Sequence, residues 1–322
     1  MSSSTASRPA TPENVLRRLE WTVIRRLDGV LHGDYRTLFR GYGLDLADLR
    51  EYVYGDDVRH IDWNVTARLQ TPYVREYNEE REVAAWFLLD LSPSVAFGSQ
   101  RVEKRAVSTE FVTVLARILT RHGNRVGAIC YGGNVDAVIP PRSGRRQVLH
   151  LLHRMATRPE LKNVAPTDLS ELLRTAYHVV PRRSLLFIVS DFISKPGWAE
   201  PLSHLAERHD VVAVRLYDPL EMTLPDLGLL VIQDAETGEQ LFVDTHDRGF
   251  RRRFEAGARK REEELRGAFM NAGVDALELS TEDDLVDAIL RFADLRKRRS
   301  HLAAGGGLPQ HLSGPMRPKV PA

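Results

Sequence analysis

Trp86-Phe87-Leu88-Leu89-Asp90-Leu91-Ser92-Pro93-Ser94 is the stretch on which the fold turns. An uninterrupted apolar run bounded by turn residues is the pattern of a strand buried on both faces, so a parallel sheet covered by helices is expected. Asp90 ends that strand, and ligands of open α/β sheets bind just outside the carboxyl edge. The D-x-S-x-S pattern of Asp90, Ser92 and Ser94 offers hard oxygen donors and neither nitrogen nor sulfur. That chemistry favours Mg²⁺ or Mn²⁺ over zinc or copper.

A second run of the same kind, Leu185-Leu186-Phe187-Ile188-Val189-Ser190-Asp191-Phe192, ends in Ser-Asp, and Pro166-Thr167-Asp168-Leu169 opens an amphipathic helical stretch between the two. The expected cation site combines Asp90, Ser92, Ser94, Thr167 and Asp191: two carboxylates and three hydroxyls at separate strand or loop ends.

Working outward, strands and helices alternate from about residue 83, as a doubly wound sheet requires. Strands are expected at 84–91, 125–131, 135–139, 184–190, 210–217 and 274–279, with a short hairpin at 229–233 and 240–243. Helices are expected near 101–122, 144–156, 168–179, 198–208, 247–271 and 282–298. An N-terminal helix from Pro12 to Leu31 would keep Val15, Leu16, Leu19, Val23, Leu27 and Val30 on one apolar face. The division is a Ser/Thr/Pro-rich disordered N-terminus (1–12), an accessory region (13–82), an α/β domain (83–298) and a flexible tail (299–322). No internal repeat is found.

Composition narrows the class. A chain of 322 residues, 43% hydrophobic, can bury a substantial core, and a net charge of +1 does not mark a nucleic-acid binder. The single cysteine, Cys130, lies in an apolar run, which excludes an internal disulfide and suits a reducing compartment. No stretch has the length of a membrane span, and the N-terminus lacks the apolar core of a secretory signal, so a cytoplasmic protein is expected. The basic clusters Arg251–Arg253, Lys260-Arg261 and Arg296–Arg299 are interleaved with Glu255 and Glu262–Glu264, the composition of a solvated helix face. His122, His204 and His209 fall near helix ends as capping or surface residues. No P-loop, H-E-x-x-H or G-x-S-x-G pattern occurs.

The segment Tyr54-Gly55-Asp56-Asp57-Val58-Arg59-His60-Ile61-Asp62-Trp63, with Thr66-Ala67-Arg68 beyond it, gathers three carboxylates and two arginines. Arg59 and Arg68 neutralising Asp56, Asp57 and Asp62 by charge-assisted hydrogen bonds is the favoured reading; a second metal site is the alternative.

Two resemblances follow from these motifs. Asp90-x-Ser92-x-Ser94 with Thr167 and Asp191 resembles the metal-ion-dependent adhesion site of von Willebrand factor A-like domains. The resemblance implies direct coordination by Ser92 and Ser94, direct or water-mediated coordination by Thr167, and Asp90 and Asp191 acting through water. A sixth position would be open to a partner's carboxylate. Pro93 and Val95 depart from the small Gly and Met common there, without removing a ligand. G-D-D-V-R-x-I-D-W-x-x-T-A-R, with Val74-Arg75-Glu76-Tyr77 downstream, resembles domain-of-unknown-function family fifty-eight over about residues 35 to 290. That resemblance implies a von Willebrand A-like domain after the signature and a partnership with a MoxR-type AAA+ ATPase. Many members of that family carry N-terminal membrane helices, which this chain lacks.

The function expected is a non-enzymatic, divalent-metal-dependent protein-binding module, an adaptor between such an ATPase and a client protein. The alternative is a Mg²⁺-dependent hydrolase or phosphoryl-transfer enzyme using Asp90. Against the alternative, Ser92 stands where a second carboxylate would be wanted, and no lysine is evident to stabilise a transferring phosphoryl group.

Overall fold

A computed structural model of the chain describes residues 11–27, 48–53, 58, 61–76, 84–99, 102–157, 166–233, 235 and 238–303. The chain opens with α1 (Pro12–Leu19), capped by the Thr11 hydroxyl, and continues through a π-helical turn at Glu20–Ile24. Leu16, Leu19, Ile24 and Leu27 enter the core, while Val23 is only partly buried. The extra residue of a π turn rotates the apolar face by one position, which is why Ile24 replaces the expected Val23. Val30 lies outside the described residues.

Next come β1 (Asp48–Glu51), α2 (Trp63–Leu69) and β2 (Tyr73–Glu76), with β1 and β2 pairing antiparallel. The main sheet begins with β3 (Ala84–Asp90), followed by α3 (Lys104–Arg121), β4 (Arg125–Tyr131), β5 (Val135–Arg142), α4 (Arg145–Ala156) and α5 (Leu169–Val179). After these run β6 (Leu185–Ser190), α6 (Ala199–Arg208) and β7 (Asp210–Tyr217), then a separate hairpin of β8 (Leu229–Gln233) and β9 (Gln240–Asp244). The chain closes with α7 (Arg248–Asn271), β10 (Asp275–Ser280) and α8 (Leu285–Ala303).

The six-stranded sheet has the order β10-β7-β6-β3-β4-β5, and every pair is parallel except β4 with β5. β5 carries Pro140 and Pro141 and lies at the sheet edge, where a missing ladder donor is tolerated. Alternation along the strands sends side chains into two cores. Phe87, Leu89, Phe187, Val189 and Val214 meet α1, α3, α4 and α8 on one face. Leu88, Ile129, Leu186, Ile188 and Ala213 meet α5, α6 and the end of α7 on the other. Burial on both faces accounts for the apolar runs, and Cys130 is buried among them.

α1 shares the first core with the sheet domain and is tied to it by Arg117–Glu20 (2.7 Å), Arg26–Asp284 (3.3 Å) and an Arg18–Glu110 pair. Part of the basic clusters is compensated by nearby carboxylates. Arg251 pairs with Asp226, Arg253 with Asp247 and Lys260 with Glu264. Two residues of these clusters are not solvated as expected: Glu262 is buried against Arg215, and the Arg296 side chain is largely enclosed between Asp210 (3.0 Å) and Asp275 (3.2 Å). His209 is buried as well, its Nδ1 accepting from the Ser184 amide. Burial, and then the charges of Arg208 and Arg183, push its imidazole down to about 4, so it is neutral.

Candidate metal centre at the sheet switch point

The strand order fixes where a site can form. The chain moves from β3 outward to β4, then returns to the other side of β3 to add β6, β7 and β10. The carboxyl ends of β3 and β6 therefore flank the switch point, the place where open α/β sheets generally bind ligands. Leu89 pairs with Val189 in the parallel register, which brings Asp90 beside Ser190.

Asp90 is 0% exposed and both its oxygens are engaged. Oδ1 accepts from the Ser92 amide at 3.0 Å, and Oδ2 accepts from the Ser190 hydroxyl at 2.6 Å. Burial, and then the charge of Asp191, push its carboxyl up from an ordinary 3.8 to about 6, against hydrogen bonds from Ser190 and Ser92 that pull it down. After β3 the chain turns into a 3₁₀ segment, Pro93–Ala96, with Pro93 in the first turn where its absent N–H costs nothing. That turn places Ser92 Oγ and Ser94 Oγ 3.0 Å apart, both buried.

Asp191 follows β6 and is nearly as buried as Asp90. Its Oδ1 accepts from the Ile193 amide at 3.0 Å and its Oδ2 from Lys104 Nζ at 2.8 Å. The next residue, Phe192, has φ of 58°, a left-handed conformation that a bulky side chain rarely adopts. Its ring is held by Phe269 (centroids 5.0 Å apart) and Trp198 (5.5 Å), and its amide donates to Ser190 Oγ. Packing thus over-determines a strained turn that aims Asp191 back over the sheet edge.

Thr167 is buried on the loop before α5. Its carbonyl accepts from the Lys195 amide (2.9 Å) and the Ser194 hydroxyl (3.1 Å), so this loop is stitched to the one leaving Asp191. Asp168 caps α5, and its amide donates to the Tyr131 phenol oxygen at the end of β4. The structure therefore collects Asp90, Ser92 and Ser94 into one cluster, sets Asp191 in electrostatic contact with Asp90, and holds Thr167 on the loop clamped to Asp191's own.

The donor set can be tested against a small dication. Adjacent ligands of an octahedron with metal–oxygen bonds of about 2.1 Å stand about 3.0 Å apart. Ser92 Oγ and Ser94 Oγ, hydrogen-bonded to each other at 3.0 Å, already stand at that separation. Among the described residues no group of three or more His, Cys, Asp or Glu side chains could hold a metal, so a site here would draw on hydroxyls, carbonyls or water as well as carboxylates. The set of two carboxylates with serine and threonine hydroxyls fits Mg²⁺ or Mn²⁺.

Four residues of the neighbourhood lay outside the expected set. Ser190, the hydroxyl partner of Asp90, was visible as the end of its strand. Lys104, Asp218 and Glu221 had no local signal, because their partners are distant in sequence. Lys104, which the sequence did not single out as a lysine for phosphoryl chemistry, stands beside Asp191: its side chain is 1% exposed and bridges Asp191 and Glu221.

In the signature segment, Asp56, Asp57 and Arg59 lie outside the described residues. Asp62 is buried at the start of α2, accepting from the Val65 amide at 3.3 Å, while its own amide donates to the Tyr73 carbonyl at 2.8 Å. Trp63 is 69% exposed and Arg68 is exposed on α2. Asp62 thus caps a helix and locks it to β2.

A mostly parallel sheet with helices on both faces and polar oxygens at its switch point defines an α/β protein of Rossmann-like arrangement. A family described as "Protein of unknown function DUF58" matches residues 48–264, and the chain belongs to that family. It is 35% identical over 285 residues to the uncharacterized protein Rv1480 of Mycobacterium tuberculosis (strain ATCC 25618 / H37Rv), covering 88% of this chain and 89% of the relative. The uncharacterized protein Mb1516 of Mycobacterium bovis matches with the same identity and coverage. Among solved structures, the conserved hypothetical protein BatB from Bacteroides thetaiotaomicron aligns with 67% of this chain and 99% of its own, at 16% identity and a TM-score of 0.41. An aerotolerance-related membrane protein from Bacteroides fragilis aligns over the same shares, at 12% identity and a TM-score of 0.44. No helix among the described residues is long and apolar enough to cross a membrane.

Proposed function

We propose that this protein is a non-enzymatic, divalent-metal-dependent protein-binding module, with Ser92, Ser94, Thr167, Asp90 and Asp191 forming a von Willebrand A-like adhesion site for Mg²⁺ or Mn²⁺. The observation that carries the reading is the pair of buried hydroxyls of Ser92 and Ser94, 3.0 Å apart above a buried carboxylate at the switch point. A partly desolvated dication there attracts a partner's carboxylate strongly, and that one contact can dominate recognition. The resemblance of the signature segment supports a MoxR-type AAA+ ATPase as partner, with a client protein to be matured or remodelled and the cytoplasm as the compartment.

The reading is tested by recovering partners of the tagged full chain from its own lysate in Mg²⁺, in EDTA, and with Asp90→Ala. Capture of an AAA+ ATPase or a client is expected only with Mg²⁺ and intact Asp90. Capture indifferent to both conditions would move the interface away from this edge.

One observation favours a second reading. The buried ammonium of Lys104 beside Asp191 is the kind of cation that phosphoryl transfer uses. Yet Asp90 is enclosed with both oxygens bonded, and Lys104 is held by Asp191 and Glu221, an arrangement better suited to holding an ion than to attacking a substrate. Turnover of a generic phosphate ester that disappears in Asp90→Asn would favour the enzyme.

A further inference from the structure

Lys104 begins α3, a position where the helix dipole disfavours a cation, and its ammonium is buried. Two carboxylates hold it there: Asp191 Oδ2 at 2.8 Å and Glu221 Oε1 at 2.5 Å. These two carboxylates, at hydrogen-bond distance, offset the cost of burying the ammonium, which places a charged group beside the candidate centre.

Its two anchors differ. Asp191 is enclosed and belongs to the candidate centre, whereas Glu221 is partly exposed at the rim, on the short 3₁₀ segment Pro219–Glu221 that follows β7. Glu221 is itself fixed, because its Oε2 accepts from the Asp218 amide at 3.1 Å. Fully buried Asp218 in turn accepts from the Ser99 amide (2.9 Å), the Leu220 amide (2.9 Å) and the Thr281 hydroxyl (2.9 Å). The loop that leaves Ser94 and the ends of β7 and β10 are therefore joined through one buried network, and Lys104 is its link to Asp191.

We propose that Lys104 is a tethered counter-cation that sets the affinity of the switch-point site for divalent ions. Without an ion, the ammonium neutralises Asp191. With an ion held by the site's oxygens, Asp191 would be shared between the ion and Lys104, and Glu221 would keep the ammonium in place. The inference rests on the metal-dependent reading of the same site. Its physical basis is the repulsion between an ammonium and a dication that share one carboxylate in a low-dielectric pocket. Lys104 thereby makes the site a weak, reversible binder instead of a permanently metallated one.

The two anchors predict opposite signs. Lys104→Met removes the competing charge while keeping the length of the side chain, so Mn²⁺ measured by calorimetry on the full chain should bind about tenfold or more tightly. Glu221→Gln keeps an acceptor for the Asp218 amide but removes the rim charge, leaving Lys104 wholly to Asp191; Mn²⁺ should bind severalfold more weakly. A purely structural Lys104 would weaken binding in both variants, and that result overturns the inference. So does equal Mn²⁺ affinity in wild type and Lys104→Met. Binding seen in Lys104→Met but not in wild type supports the counter-cation and removes the metal-dependent function of the native protein. Absence of binding in all three proteins removes both. Should Lys104→Met fail to fold, Lys104→Gln, which also removes the charge, is titrated in its place, and equal or weaker Mn²⁺ binding in it contradicts the proposal.

Discussion

Asp90→Asn is expected to make the metal-free protein more stable at pH 7 while abolishing its stabilisation by Mg²⁺. The Asp90 carboxyl is buried, faces the charge of Asp191, and has its pKa raised from 3.8 to about 6. Between those values the folded protein holds a proton that the unfolded chain releases, so stability falls as pH rises through that window. The favourable contribution is complete below 3.8 and lost once pH passes about 6, leaving a cost on the order of 3 kcal/mol at neutral pH. Asn is nearly isosteric. Its carbonyl can accept from the Ser92 amide, and its amide can donate to Ser190 Oγ if that hydroxyl rotates. The variant should therefore melt higher than wild type in EDTA at pH 7, and its stability should be flatter between pH 4 and 6. A dication repays the wild-type cost by compensating Asp90, so added Mg²⁺ should raise the wild-type midpoint and leave the variant's unchanged. A variant that melts lower in EDTA and still responds to Mg²⁺ would show that Asp90 serves the fold and not an ion.

The second large effect lies in the core. Phe187, in the centre of β6, stacks on Phe87 of β3 (centroids 5.3 Å apart, planes at 19°) and meets the edge of Phe111 of α3 (6.2 Å, 75°). All three are buried. Phe187→Ala removes that contact and leaves a cavity between the two strands that carry the site. A loss of about 3–5 kcal/mol is expected, a large share of the stability of an ordinary domain. Urea unfolding monitored by circular dichroism checks it, with Phe187→Leu expected to recover more than half. A loss below about 1 kcal/mol for Ala would mean that this face of the sheet does not meet α3 as described.

The sheet was legible in the sequence for a specific reason. β3 and β6 are buried on both faces, so each is an unbroken apolar run, and their ends mark the carboxyl edge where Asp90 and Asp191 stand. Ser92 and Ser94 could be read with them because they follow on the same turn. Other features had no such local signature. β1 and β2 are four residues each and carry charged side chains, and their pairing spans the signature segment, so the stretch read as irregular. The π turn at Glu20–Ile24 shifts a helical face without any change in composition. Lys104 carries no local signal, since Asp191 and Glu221 lie 87 and 117 residues away along the chain. Its burial is a consequence of topology: α3 starts where β3, β6 and β7 all end.

The central claim concerns a divalent ion at the switch point, and titration of the purified, EDTA-stripped chain with Mn²⁺ tests it most directly. Calorimetry should show a single saturable site in wild type, weakened roughly a hundredfold or more when Ser92 and Ser94 are both replaced by Ala. No heat of binding in wild type, or identical binding by the double variant, would contradict the account.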